Sequence, residues 1–105
     1  MVQIIRGGCN AHHSGSFFMS RPKGLDFYVI LMIHTAVEFQ MEERVILAEP
    51  GQAVIVSPGT PYQYHNPKGD YIDDWLHFQV TDSVFANKIE RIANELIPIE
   101  NTEFY

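Results

Sequence analysis

The chain has 105 residues, which is enough for one domain and too few for two. Hydrophobic residues make up 46% of it and charged residues 19%, a composition that indicates a folded core and excludes a disordered tail. Seven Lys and Arg against thirteen Asp and Glu give a net charge of −6, so the acidic surface would repel phosphate, which disfavours direct binding of nucleic acid.

Neither a membrane span nor an export signal is indicated. The longest apolar run, 27–33, is far shorter than the roughly 20 residues that cross a bilayer. Because the first residues lack a basic stretch followed by an apolar segment, we expect no signal peptide. The single cysteine, Cys9, excludes an internal disulfide, and we expect it to be a buried, unreactive thiol. These features favour a cytoplasmic protein.

Short runs rich in Val, Ile, Phe and Tyr alternate with turn-forming segments along the first 81 residues. Turns every eight to twelve residues are typical of a β-sandwich or barrel. The strands at 37–41 and 44–48 flank a short polar turn and should form a hairpin. The run 28–33 is apolar throughout, so we expect it to be covered on both sides. The predicted strands are 2–6, 16–20, 26–34, 37–41, 44–48, 52–57, 62–65 and 73–81.

After residue 81 the apolar spacing changes to that of an amphipathic helix, predicted over 83–97. Thr81, Asp82 or Ser83 would cap its start, and Pro98 would end it. We therefore predict a barrel over 1–81, then the helix and the start of a truncated linker or dimerisation region over 82–105. The helix stripe consists of Phe85, Ile89, Ile92, Ala93 and Leu96.

The five histidines do not form a recognisable metal motif. His12 and His13 are neighbours, and neighbours in a strand point to opposite faces. The sequence has no cysteine pair, no His-x-His and no His-Glu-x-x-His. Cys9 has no activating motif, no Gly-x-Ser-x-Gly is present, and Gly7-Gly8 precede no helix that could hold a phosphate. We predict no metal ligand, no catalytic residue and no cofactor.

The last predicted strand carries a polar, aromatic face. Asp73, Trp75, His77 and Gln79 alternate on that face, while the opposite face is apolar and suits packing against the helix. An indole can stack on the C–H face of a sugar, and Asp, His and Gln can bond to hydroxyls. This face therefore suits a small polar ligand.

Arg21 has the same parity as Phe17 and Met19, so we expect it on the inner face as well. A cation there needs a partner, which is either a ligand or Asp73. The alternative interpretation is a structural Arg–carboxylate pair with Trp75 as plain core filler.

The segment 51–66 resembles the second cupin motif. Gly51, Gly59 and Asn66 have the motif's spacing, whereas Ser57 stands at its Pro and Tyr62 at its metal-binding His. The first cupin motif has no counterpart around residue 34. The resemblance implies an all-β fold, a cupin-like double-stranded β-helix (jelly-roll barrel) with a C-terminal α-helix, that has lost its metal.

Three ordered segments also resemble the effector-binding domain of AraC-family bacterial transcription regulators: Arg-Pro-x-Gly at 21–24, Pro-Gly-x-x-x-x-Tyr at 58–64 and Trp-x-His-Phe at 75–78. The resemblance covers roughly 5–80. It implies that Arg21, Tyr64, Asp73 and Trp75 line a sugar pocket, with Asp73 at a position where the family has His. A looser alignment adds Cys9. The candidate ligand-binding residues are Arg21, Tyr62, Tyr64, Asp73, Trp75 and His77.

The resemblance implies a regulatory domain, not an enzyme, which binds a small polar effector, with a sugar as the favoured class. It further implies a homodimer that contacts DNA only through a domain beyond these 105 residues. A free-standing small cupin enzyme acting on a sugar-like substrate is the alternative function. A purely structural dimerisation module is a third.

Overall fold

The computed structural model describes residues 2–98, and strands account for most of this part of the chain. One short helix follows the eighth strand. The elements are β1 (Val2–His13), β2 (Met19–Arg21), β3 (Tyr28–Ile33), β4 (Val37–Met41), β5 (Arg44–Ala48), β6 (Gln52–Val56), β7 (Tyr62–His65), β8 (Tyr71–Val80), α1 (Ser83–Glu90) and β9 (Leu96–Pro98).

Two antiparallel sheets make up the fold. The first sheet has five strands in the order β1-β8-β3-β6-β9, and the second has four in the order β2-β7-β4-β5. The fold is therefore all-β apart from α1. The predicted hairpin is confirmed, because β4 pairs with β5 from Val37 opposite Ala48 to Met41 opposite Arg44.

The inner faces of the two sheets share one hydrophobic core. Leu31 and Val54 of the first sheet and Phe39 of the second are each at most 2% exposed. Phe39 also stacks against Tyr62 and Tyr64, with ring centroids 5.8 and 5.1 Å apart. Full burial of one such aliphatic or aromatic side chain stabilises a fold by about 1.5–3 kcal/mol.

A second, smaller cluster covers the outer face of the first sheet. Ile89 and Ala93 pack there against Tyr28, Ile55 and Phe78. The apolar face of β8 thus packs against α1, as its alternation predicts. The cover also explains why β3, in the middle of this sheet, is apolar on both faces.

The predicted extent of the helix is wrong. Asp82 caps its start by accepting from the N–H groups of Val84 and Phe85, but the helix ends at Glu90 instead of 97. The chain then turns, with Asn94 at a φ of 61°, and residues 96–98 pair with β6 as β9. Consequently the predicted stripe is divided. Ile89 and Ala93 are buried, Leu96 packs on the inner core, and Phe85 and Ile92 are exposed.

The N-terminal strand is longer than predicted. Gly7 and Gly8, an adjacent pair typical of turns, lie inside β1, which pairs with β8 from Val2 to His13. Cys9 is exposed, so its predicted burial is wrong. It lies at a bulge, where the register with β8 shifts between Gly8 and Ala11.

The three residues that match the cupin motif in spacing all shape turns. Gly51 and Gly59 have φ values of 89° and 77°, which glycine adopts without strain. The Asn66 side chain accepts from the Lys68 N–H and donates to the Asp70 carbonyl. These contacts give the spacing a structural reason in this chain.

Within residues 2–98, no helix is both long enough and apolar enough to span a membrane.

Candidate ligand-binding site

A cavity of about 240 Å³ lies on the inner side of the two sheets. Residues from both sheets line it. All six predicted site residues are brought together there: Arg21, Tyr62, Tyr64, Asp73, Trp75 and His77. Gln79, which the alternation of β8 places on the same face, is exposed and does not line the cavity.

Asp73 is the most deeply buried polar group of the site, with 1% of its surface exposed. Its Oδ2 accepts from the Tyr71 hydroxyl at 2.8 Å, whereas its Oδ1 is buried without a hydrogen-bond partner among the described residues. Burial raises the pKa of Asp73, and the bond from Tyr71 opposes that rise. Asp73 lines the cavity, and an unsatisfied carboxylate oxygen is a ready acceptor for a hydrogen-bond donor.

His77 has a second buried atom of this kind. Within residues 2–98 its Nδ1 has no hydrogen-bond partner. Burial lowers the pKa of His77, and the guanidinium groups of Arg6 and Arg21 lower it further. The imidazole is therefore neutral at pH 7 and offers one donor and one acceptor.

Tyr62 and Tyr64 bring hydroxyl groups to the same space from β7. Burial raises the pKa of both, while Arg21 opposes the rise. Burial and the nearby Asp73 also raise the pKa of Tyr71. These phenols keep their protons throughout the physiological range, so they act as neutral donors and acceptors.

Trp75 forms an aromatic wall of the cavity. Its indole ring is tilted against His77 with centroids 4.7 Å apart, and Phe27 lies on His77 at 4.8 Å. Across the β1–β8 ladder Trp75 is opposite Gly8, which has no side chain to displace the indole. A flat apolar surface beside hydrogen-bonding groups is the usual composition of a small-molecule site.

Arg21 ends β2 and lies at the exposed rim of the cavity, beside the Tyr62 hydroxyl. Among residues 2–98 the guanidinium makes no ion pair with Asp73 or any other carboxylate. The alternative of a structural Arg–carboxylate pair is therefore wrong for the described chain.

Sequence reasoning missed two polar lining residues, Arg6 and His13, which β1 contributes. Arg6 is opposite His77 in the ladder, and His13 is opposite Tyr71. His13 also stacks on Phe17, with centroids 3.9 Å apart, and Phe17 packs against the core. Met19, Val29 and Leu31 complete the lining.

The other histidines lie outside this cavity. As expected from their adjacency, His12 and His13 point to opposite faces: His12 pairs with Asp70 at 2.8 Å. His34 pairs with Asp74 at 3.0 Å, and His65 contacts Phe18. In the described part of the chain, no three His, Cys, Asp or Glu side chains form a group that could hold a metal ion.

A broader, open groove of about 550 Å³ runs along the outer face of the first sheet, beside Gly7, Cys9, Ile30 and Met32. Among residues 2–98, Asp74 is the only charged residue that lines it, and that carboxylate is already bonded to the Asn10 N–H and to His34. The inner cavity, with its unpaired acceptor and neutral imidazole, is the better candidate for a polar ligand.

No family model matches the chain, and no curated protein shows significant similarity to it. The assignment of function therefore depends on the geometry of the cavity and on the sequence motifs.

Proposed function

We propose that this chain is a ligand-sensing domain that binds a small, hydroxyl-bearing molecule, with a sugar as the favoured class. The observation that carries the proposal is the pair of buried, unpartnered atoms, Asp73 Oδ1 and His77 Nδ1, on the wall formed by Trp75. A buried polar atom without a partner is costly, and the hydroxyls of a ligand would satisfy both atoms.

The architecture we propose is a cupin-like jelly-roll barrel of the type used by AraC-family regulators. Two antiparallel sheets around one core support this. So does the convergence on one cavity of residues from the three motif segments at 21–24, 58–64 and 75–78. In such a regulator the chain would act in the cytoplasm as a homodimer, and DNA would be contacted by a domain beyond residue 105.

Strand β1 is the element through which ligand binding would be transmitted. It is an edge strand, paired only with β8 in the first sheet, and it contributes Arg6 and His13 to the cavity. A ligand that contacts these two residues would favour the state in which β1 is paired with β8 over states in which β1 has separated from the sheet. Regulation requires that the ligand prefer one conformation in this way.

A titration of the 105-residue chain with a panel of sugars tests the proposal. Trp75 is the single tryptophan, so its fluorescence reports on the cavity directly, and calorimetry gives the affinity. We expect Trp75→Ala and Arg21→Ala to weaken binding at least tenfold. The matched controls Phe85→Ala and Arg91→Ala alter exposed positions on or just after α1 and should leave binding unchanged. Binding that survives both cavity substitutions would contradict the proposal.

A further inference from the structure

Two guanidinium groups line the cavity, and among residues 2–98 neither forms an ion pair with Asp73, the carboxylate that lines the same cavity. Arg6 and Arg21 both line it, one from each sheet. Within residues 2–98 neither has a carboxylate oxygen within the 4.0 Å that defines an ion pair. The whole chain has only seven Lys and Arg against thirteen Asp and Glu, so surplus carboxylates are available elsewhere on the surface. Two of the seven cations nevertheless face one cavity with no ion-pair partner in the described part of the chain.

The positive field of these two residues reaches the interior. Besides burial, Arg6 and Arg21 are what lowers the pKa of His77. Arg21 also opposes the rise that burial causes in the pKa of Tyr62. Both guanidinium groups therefore act on the space that a ligand would occupy, where screening by solvent is weaker than on the open surface.

The two guanidinium groups and the buried Asp73 acceptor lie at different ends of the cavity, measured along β8. Arg6 is opposite His77, whereas Asp73 is four residues away along the strand, roughly 13 Å at the usual rise per residue. Arg6 and Arg21 are exposed at one end, and the buried Asp73 acceptor is at the other. A matching ligand has hydroxyl donors at its inner end and a negative charge at its outer end.

We propose that the ligand is a sugar acid, a monosaccharide-sized polyol bearing a carboxylate that Arg6 and Arg21 bind. This inference rests on the proposed function and narrows it. A guanidinium pairs with a carboxylate through two parallel hydrogen bonds, a geometry that gives specificity as well as affinity. The cavity volume of about 240 Å³ is below the range of about 300–1,000 Å³ found for drug-sized ligands, which suits one sugar ring.

Matched pairs of ligands test the inference by calorimetry and Trp75 fluorescence: glucuronate with glucose, galacturonate with galactose, and gluconate with glucitol. Glucose 6-phosphate serves as a second anion. We expect the acid of at least one pair to bind ten times more tightly than its neutral partner, and this preference to shrink as salt is added. Arg6→Gln and Arg21→Gln should each reduce the preference at least threefold, whereas Arg91→Gln should not.

The outcomes separate the inference from the function on which it rests. Neutral sugars that bind as tightly as their acids would overturn the sugar acid and leave the proposed function standing. Tighter binding of the sugar phosphate than of every carboxylate would overturn the choice of carboxylate. If neither acids nor neutral sugars bind to a folded chain, the proposed function is wrong and the inference with it. If both arginine variants still bind the sugar acid more tightly than the neutral sugar, the sugar-acid inference is also overturned.

Discussion

Gly8 lies directly opposite Trp75 in the β1–β8 ladder, and the indole fills the space that a side chain at position 8 would take. A Cβ at position 8 would lie 2.6 Å from Trp75 Nε1 and 3.0 Å from Cε2. Directly opposite residues of an antiparallel pair project to the same side of the sheet. The aromatic wall of the cavity therefore depends on the absence of a side chain in the neighbouring strand.

Gly8→Ala should displace the indole. Because real Cβ atoms do not approach other atoms as closely as 2.6 Å, the ring or β1 has to move. Overpacking of this kind costs about 1–3 kcal/mol of stability. We expect a shift in the emission spectrum of Trp75 and weaker ligand binding. Gly15→Ala is the matched control, since its nearest neighbour would be at an ordinary 3.4 Å. An unchanged emission spectrum in the Gly8 variant would contradict this account of the wall.

Asp73→Asn should change how stability depends on pH. Burial raises the pKa of Asp73 in the folded state above its ordinary 3.8. The folded chain therefore holds this proton more tightly, and the stability that results is present below pH 3.8 and lost as pH rises through the folded-state pKa. Asparagine cannot ionise, so the variant should lose less stability over that rise than the wild type. Denaturant unfolding at intervals from pH 3 to 8 measures the difference. If the free energy of unfolding depends on pH equally in the wild type and in the variant, burial does not raise the pKa of Asp73.

The same variant should weaken ligand binding without unfolding the chain. The Asn side chain can still accept from Tyr71, but it lacks the negative charge of a carboxylate. Replacing a charge-assisted hydrogen bond with a neutral one costs about 1 kcal/mol, or about fivefold in affinity. Calorimetry with the best ligand of the panel measures this. Asp26→Asn, at an exposed carboxyl outside the cavity, should bind as the wild type does.

Strand-favouring runs between turns, together with the alternation of polar and apolar residues in β8, were enough to predict much of the fold and of the site. The strands at 37–41, 44–48 and 62–65 have the predicted bounds, and the polar and apolar faces of β8 are the predicted ones. In β5, Val45 and Leu47 are apolar yet exposed, whereas β4 and β7 keep a regular two-residue period with one face in the core. That is the condition under which alternation fixes orientation.

Alternation failed in β1 because this strand contains two bulges. Arg6 and His13 differ in parity, so a regular strand would place them on opposite faces. The register shift between Gly8 and Ala11 lies between these two residues and places both on the cavity side, whereas the shift between Ile4 and Arg6 precedes both. Nothing in the local sequence marks the positions of such shifts. The adjacent Gly7-Gly8, typical of a turn, instead allow close packing against β8.

The wild type should lose stability under mildly acidic conditions, and His77→Gln should lose less. Burial and the charges of Arg6 and Arg21 lower the pKa of His77 in the folded state below its ordinary 6.5. The unfolded chain then takes up this proton first, so stability is fully present above pH 6.5 and is lost as pH falls toward the folded-state pKa. Unfolding measured between pH 7.5 and 5 should show a flatter profile for the variant. His65→Gln, outside the cavity, is the matched control, and equal slopes in wild type and His77→Gln would contradict the assignment.

Asn94 links the end of the helical turn to β6 and should tolerate glycine better than alanine. Its Oδ1 accepts from the Ser57 N–H at 3.1 Å, and its Nδ2 donates to the Ser57 hydroxyl at 2.9 Å. Its φ of 61° is unfavourable for any residue with a Cβ, although asparagine adopts it more readily than most. Asn94→Gly loses only the side-chain bonds, at about 1–2 kcal/mol, whereas Asn94→Ala also strains the backbone, for a total of about 2–4 kcal/mol. Urea unfolding distinguishes the two variants. If alanine proved as stable as glycine, the left-handed turn would not be what ends the helix early and directs residues 96–98 into the sheet.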